Sequence, residues 1–241
     1  ILSHLRRQTT NPNDIANRRW WQAAFPQHPY GRPIEGTLES APQITVADLK
    51  SYARQVFARS TLKVTIVGDI DAESAKTLLD SVFGSLPATP ELKPVPDAKP
   101  QNLGQRILVE LDVPQTVLVF GGLGVARKDP DFYAAYIVNH ILGGGPFSSR
   151  LYREVREKRG LAYSVHTGLH WLKHAALFIG ATATRAERAN DTLQVVEQEI
   201  KRLAEAGPTA EELEKAKSYL KGSYALGFDT SSKISGMLLQ I

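Results

Sequence analysis

The sequence predicts an α+β protein of two related domains, each a mainly antiparallel sheet with helices packed largely on one face. Three observations carry this expectation. Prolines at 87, 90, 94, 96 and 100 break the chain near its middle. A strand-then-helix unit stands on either side of that break. A length of 241 residues with 42% apolar content suits two packed cores of about 100–150 residues each.

Taken in order, Thr45 caps a helix over VADLKSYARQVF, with Asp48 in its first turn. Leu62 to Asp69 (LKVTIVGD) reads as a buried strand, and Asp71 to Val82 as an amphipathic helix closed by Gly84 at C′. Five prolines between Ser85 and Gln105 deny that stretch both a helix and a sheet interior. The expected division is therefore part of a first domain (1–85), a proline-rich linker (86–105) and a second domain (106–241). Ile107 to Val113 and Gln115 to Gly121 read as a strand pair broken at Pro114. Asp129 and Pro130 open a helix over DFYAAYIVNHIL, and Ser148 caps the helix of Arg153 and Arg156, which Gly160 ends. SVHTGLHWL reads as a strand, Lys173 and His174 as a hairpin turn, and Ala175 to Thr184 as the returning strand. A long helix follows from Ala186 to Glu205, and Thr209 with Glu212 forms a capping box for the last one.

Composition narrows the function. Net charge is +4, with 29 basic and 25 acidic residues interspersed, and no basic stripe with interleaved aromatics suggests nucleic-acid binding. No apolar run is long enough to span a membrane. Cysteine is absent, which excludes disulfides, thiolate zinc sites and a cysteine nucleophile. This fits a bacterial periplasm or cytoplasm, the periplasm being preferred. The chain opens on ILSHLRRQ without Met and ends on GMLLQI within a helical pattern, which reads as a fragment of a longer protein.

The most informative residues are Arg156 and Tyr163, in VREKRGLAYSV. Carried from a helix end onto the next strand, a guanidinium and a phenol can aim donors at one carbonyl oxygen and support a developing oxyanion. By spacing alone, a solvated Arg and a half-buried Tyr are the commoner outcome. Gly143, Gly144 and Gly145 lack the Lys-Ser/Thr of a phosphate loop, and Pro146 removes an amide donor, so they read as a hinge or tight turn. His166, His170 and His174 are spaced for a metal face on a helix, but their segment reads as a strand and turn. His140 reads as a core histidine. HPYGRPIEGT (His28 to Thr37) is a proline-pinned, glycine-jointed loop.

The run GGGPFSSRLYREVREKRGLAYSV (Gly143 to Val165) resembles the second half of a pitrilysin-type (inverzincin) metallopeptidase, the family of insulin-degrading enzyme and mitochondrial processing peptidase. HPYGRPIEGT resembles a phrase from first domains of its bacterial members. The resemblance implies one half of a metallopeptidase clamshell. In that family an Arg and a Tyr at the places of Arg156 and Tyr163 bind the substrate backbone and assist a zinc site on the other half. The family's His-x-x-Glu-His, two zinc-binding imidazoles with a Glu general base, is absent from this chain. His4 falls where the family's zinc-binding Glu stands.

The resemblance therefore implies no metal in this chain, zinc on a homologous partner subunit, a second copy or a missing half, and a peptide or small protein as substrate. Some bacterial members are heterodimers of a zinc-bearing chain and a zinc-free one, and this chain is similar to the second kind, a metallopeptidase subunit inactive alone. Two alternatives stay open. One is a complete zinc peptidase whose motif precedes residue 1. The other is a non-enzymatic assembly protein of the same fold.

Overall fold

The computed structural model describes residues 1–240. They form two compact units, one from 1–41 and 95–217, the other from 42–94 together with the residues from Ser218 onward. None of the described helices is long and apolar enough to cross a membrane.

The first unit holds α1 (Leu2–Gln8), α2 (Pro12–Ala24), β1 (Gln115–Leu123), α5 (Phe132–Asn139), β2 (Ala162–Trp171), β3 (Ala176–Arg185) and α6 (Ala189–Ala206); the second holds α3 (Val46–Val56), α4 (Ala72–Phe83) and α8 (Ser231–Gln240). α7 (Ala210–Ala225) precedes α8 in the chain. The sheet is antiparallel with β3 central, in the order β1-β3-β2. This mixed helix and antiparallel sheet is the α+β class that the sequence predicts.

Successive residues of β3 feed opposite sides. Phe178 packs with Leu142, Leu151, Val155, Val165, Val196 and Leu203, while Leu177 packs with Ala24 and Phe25 from the end of α2. The buried stripe of α6, Thr192, Val196, Glu199 and Leu203, has the 3–4 spacing of one helical face. β2 and β3 meet in a hairpin closed by Leu172 N–H donating to the Ala175 carbonyl, which puts Lys173 and His174 in the turn. The expected caps form at both ends of the chain. Thr45 and Asp48 make a capping box on α3, Asp71 caps α4, and Thr209 exchanges hydrogen bonds with Glu212.

Several expectations are corrected. Leu62 to Asp69 is not a buried strand. A strand needs a neighbouring ladder, and among the described residues this segment has none. Leu62, Val64 and Ile66 are each about two-fifths exposed, and Thr65 instead exchanges side-chain hydrogen bonds with Ser235 of α8. Ile107 to Val113 likewise pairs with nothing, whereas β1 pairs fully along β3. Residues 84–114 contain neither helix nor strand. Gly84 ends α4 in a right-handed conformation at φ −60 rather than in the left-handed C′ role. The helix after Pro130 starts later, with Asp131 at its N-cap, because the Asp129 side chain bonds the Asp131 amide within a preceding turn.

Candidate functional site

Both helical segments around Gly143–Gly145 are wound wider than an α-helix. His140–Gly144 and Tyr152–Glu157 are π-helical, closed by bonds such as Gly145 N–H to His140 O and Lys158 N–H to Arg153 O. Such turns are rare, and they concentrate at functional sites because they displace side chains from the helical repeat. At Gly143, inside the first of them, the chain passes close to β2. A Cβ on Gly143 would lie 2.6 Å from Thr167 Oγ1, so only glycine fits beside the buried Thr167–Asn139 hydrogen bond. The hinge or tight turn expected of the three glycines is therefore corrected: Gly143 and Gly144 lie inside the π-helical segment, and only Gly145 leaves it, in extended backbone. The cap of the following helix is Ser149, fully buried and accepting from Tyr152 N–H, rather than the neighbouring Ser148. Gly160, at φ +56, closes that helix and returns the chain to β2.

Tyr163 lies at an irregularity in β2. Ala162 is opposite Thr184 and Val165 is opposite Thr182, so three steps on β2 face two on β3. This β-bulge adds a residue between Ala162 and Val165, and bulges re-aim side chains. Two buried threonines of β3 fix it: Thr182 Oγ1 donates to Ser164 O and Thr184 Oγ1 to Leu161 O, at 2.7 and 2.6 Å. Tyr163 is left 80% exposed.

Arg156 and Tyr163 are brought together. The Arg156 guanidinium lies 4.3 Å from the centre of the Tyr163 ring and 4.9 Å from that of Tyr152, a cation–π sandwich. Phe147 stands edge-on to Tyr152, with its ring mostly exposed. Tyr152 and Phe147 are the site residues that sequence reading misses. The signal for Tyr152 is its place four residues before Arg156, one helical turn away.

Three other cations of this segment are bonded to carboxylates, and Arg153 stands 3.6 and 3.7 Å from Glu154 and Glu212. Arg150 holds Glu212 side-on through Nε and Nη2 at 2.8 and 2.6 Å, and Lys158 and Arg159 both bond Glu154. Burial pushes the Glu154 carboxyl up, but the bonds and charges of Lys158 and Arg159 outweigh it and hold it at about 2. The Arg150 hydrogen bond holds Glu212 at about 2 against its burial, and Glu212 in turn raises Arg150. Arg156 has no ion pair among the described residues.

The histidines do not converge. His166 and His170 lie along β2, and His174 sits in the hairpin turn with Nδ1 3.0 Å from Asp97. His140 is buried, and that burial lowers its pKa. His4 lies near Glu35 and Gln8, each 3.1 Å from Nε2. The described residues bring together no group of three or more His, Cys, Asp or Glu able to hold a metal ion. With the paired-His motif also absent from the sequence, this chain's donors do not fit zinc.

Residues 43–220 match the family described as the peptidase M16 inactive domain. The chain belongs to the peptidase M16 family. It is the pitrilysin-type family that the run from Gly143 to Val165 resembles. A peptidase M16 inactive domain from Pseudomonas fluorescens has a similar structure, with TM-score 0.88 and 33% identity, over 98% of this chain and 57% of that one. An uncharacterized zinc protease of Streptomyces coelicolor is 29% identical over 97% of this chain and 52% of its own length. A Helicobacter pylori relative named a non-peptidase homolog is 27% identical over 96% of this chain and 54% of its own. The M16 chain thus spans about half the length of the curated relatives it matches.

Proposed function

We propose that this chain is the zinc-free, substrate-gripping part of an M16 peptidase. Arg156 and Tyr163 hold the backbone of a peptide whose scissile bond lies at a zinc centre on a homologous partner subunit, a second copy or another part of a longer protein. One observation carries the reading. Arg156 is the segment's cation without a carboxylate partner among the described residues, and it is stacked beside an outward-turned phenol. Two adjacent donors of this kind can bind one carbonyl oxygen and stabilise the negative charge that develops on it. Neither group can activate water at neutral pH, so the chain alone is expected to cleave nothing. Within this reading, residues 1–85 belong to a first domain, 86–105 to a connector and 106–241 to a second domain.

Kinetics in the complete zinc-bearing assembly test the proposal. Tyr163→Phe removes one donor and keeps the ring, so kcat should fall about 10²–10³-fold with a smaller change in KM. Arg156→Ala should lower kcat and also raise KM, since a charge is lost with the donor. Wild-type kinetics in both variants would remove the gripping role. The relative named a non-peptidase homolog would then favour a non-catalytic assembly role. A His-x-x-Glu-His motif in sequence preceding residue 1 would instead make this half of a complete peptidase.

A further inference from the structure

Arg150 and Arg153 of the same helical segment also line a cleft. It has a volume of about 380 Å³ and opens where α6 gives way to α7, lined by Arg150, Arg153, Arg202, Gly207, Thr209 and Glu212 among others. Its ionisable walls carry three guanidiniums and one carboxylate. The end of α6 and the start of α7 meet here with opposed dipoles, so the charge of the cleft is that of its side chains.

These guanidiniums have donors to spare. Arg150 is only 4% exposed, and its Nε and Nη2 are used by Glu212 and the Gly207 carbonyl. Its Nη1 is buried and has no hydrogen-bond partner among the described residues. The Glu199 carboxylate supplies charge to this same guanidinium and helps raise its pKa, so the donors open to the cleft are those of Arg153 and Arg202. Arg153 approaches Glu154 and Glu212 only at 3.6 and 3.7 Å, beyond hydrogen-bond length, which leaves its planar fork available. Arg202 uses Nη2 on Glu199, which does not line the cleft. Across the wider network Arg150, Arg153, Lys158, Arg159 and Arg202 share Glu154, Glu199 and Glu212, five positive charges to three negative.

We infer that this cleft is a binding site for a small oxyanion, a carboxylate or a phosphate. Guanidinium forks match both groups geometrically, and the surplus charge disfavours a cation. The site is independent of the grip by Arg156 and Tyr163.

Titration calorimetry on the whole chain tests it, with inorganic phosphate in one arm and succinate in the other, at an ionic strength fixed with chloride. Saturable one-to-one binding with a dissociation constant below about 10 mM is expected in at least one arm. Phosphate alone would name a phosphate site, and succinate alone or both would name a carboxylate-accepting one. Arg153 and Arg202 are half-exposed, so the double variant Arg153→Gln/Arg202→Gln should fold and bind at least about tenfold more weakly. Arg106→Gln, which loses only an exposed pair with Glu197, should bind as wild type. No saturable heat in either arm, or equal binding by the double variant, would overturn the site.

Discussion

Arg150 and Arg156 lie on one short segment and are used in opposite ways. Arg150 is buried, locked side-on to Glu212 and bonded to a backbone carbonyl. Arg156 is half-buried, lies between two tyrosine rings and faces no carboxylate among the described residues. On the Arg150 side, ion pairs fasten the segment to α7. On the other side, aromatic faces orient the guanidinium without neutralising it, so its charge is still available to something else. The difference separates a cation that holds the fold from one that is held by it.

Breaking the inner side should have the largest effect on stability. Arg150→Ala would strand the Glu212 carboxylate, and removing one partner of a buried pair typically costs about 3–5 kcal/mol. Urea unfolding should show that loss as a lower midpoint at constant slope. Acid attacks the same side. Glu154 and Glu212 fall from an ordinary 4.5 to about 2 on folding. Depressed carboxylates stabilise the fold fully above about pH 5, and that contribution, on the order of 3 kcal/mol each, is lost as the pH falls toward 2. Unfolding curves between those limits should therefore steepen in pH dependence, and Glu154→Gln should flatten them.

The support of Tyr163 should give a smaller effect. Thr184→Val removes a buried hydroxyl that donates to Leu161 O and accepts from Thr192, and should cost about 1–2 kcal/mol. It should also loosen the bulge, seen as faster amide exchange around Tyr163. The outer side should matter least to the fold. Tyr163→Phe is expected to change stability by less than about 0.5 kcal/mol, because the lost hydroxyl belongs to an exposed residue. A loss of several kcal/mol there would erase the contrast between the two sides.

Local features were legible wherever one short signal decides them. The capping boxes at Thr45 and Thr209, the end of the helix at Gly160 and the turn at Lys173 and His174 can all be read from the sequence. Leu62 to Asp69 could not, because alternating apolar residues describe one strand and say nothing of its neighbours. Arg156 and Tyr163 were legible through their surrounding motif. What brings them together was not. A π-turn and a bulge each insert one residue into a regular repeat, and periodicity averages over both. The Arg150–Glu212 pair was equally hidden, since its partners are 62 positions apart.

The extra residue in β2 also limits how this chain can vary. Side chains alternate along a strand, so deleting either residue between Ala162 and Val165 would restore a regular ladder with Thr182 and Thr184. Ala162 and Val165, buried in one core cluster, would then stand two apart on the same face, and the single residue left between them would face away from it. A single-codon deletion here would keep the strand but remove the bulge that aims the phenol at Arg156. Substitutions at this site can be graded, but changes in length are all or nothing.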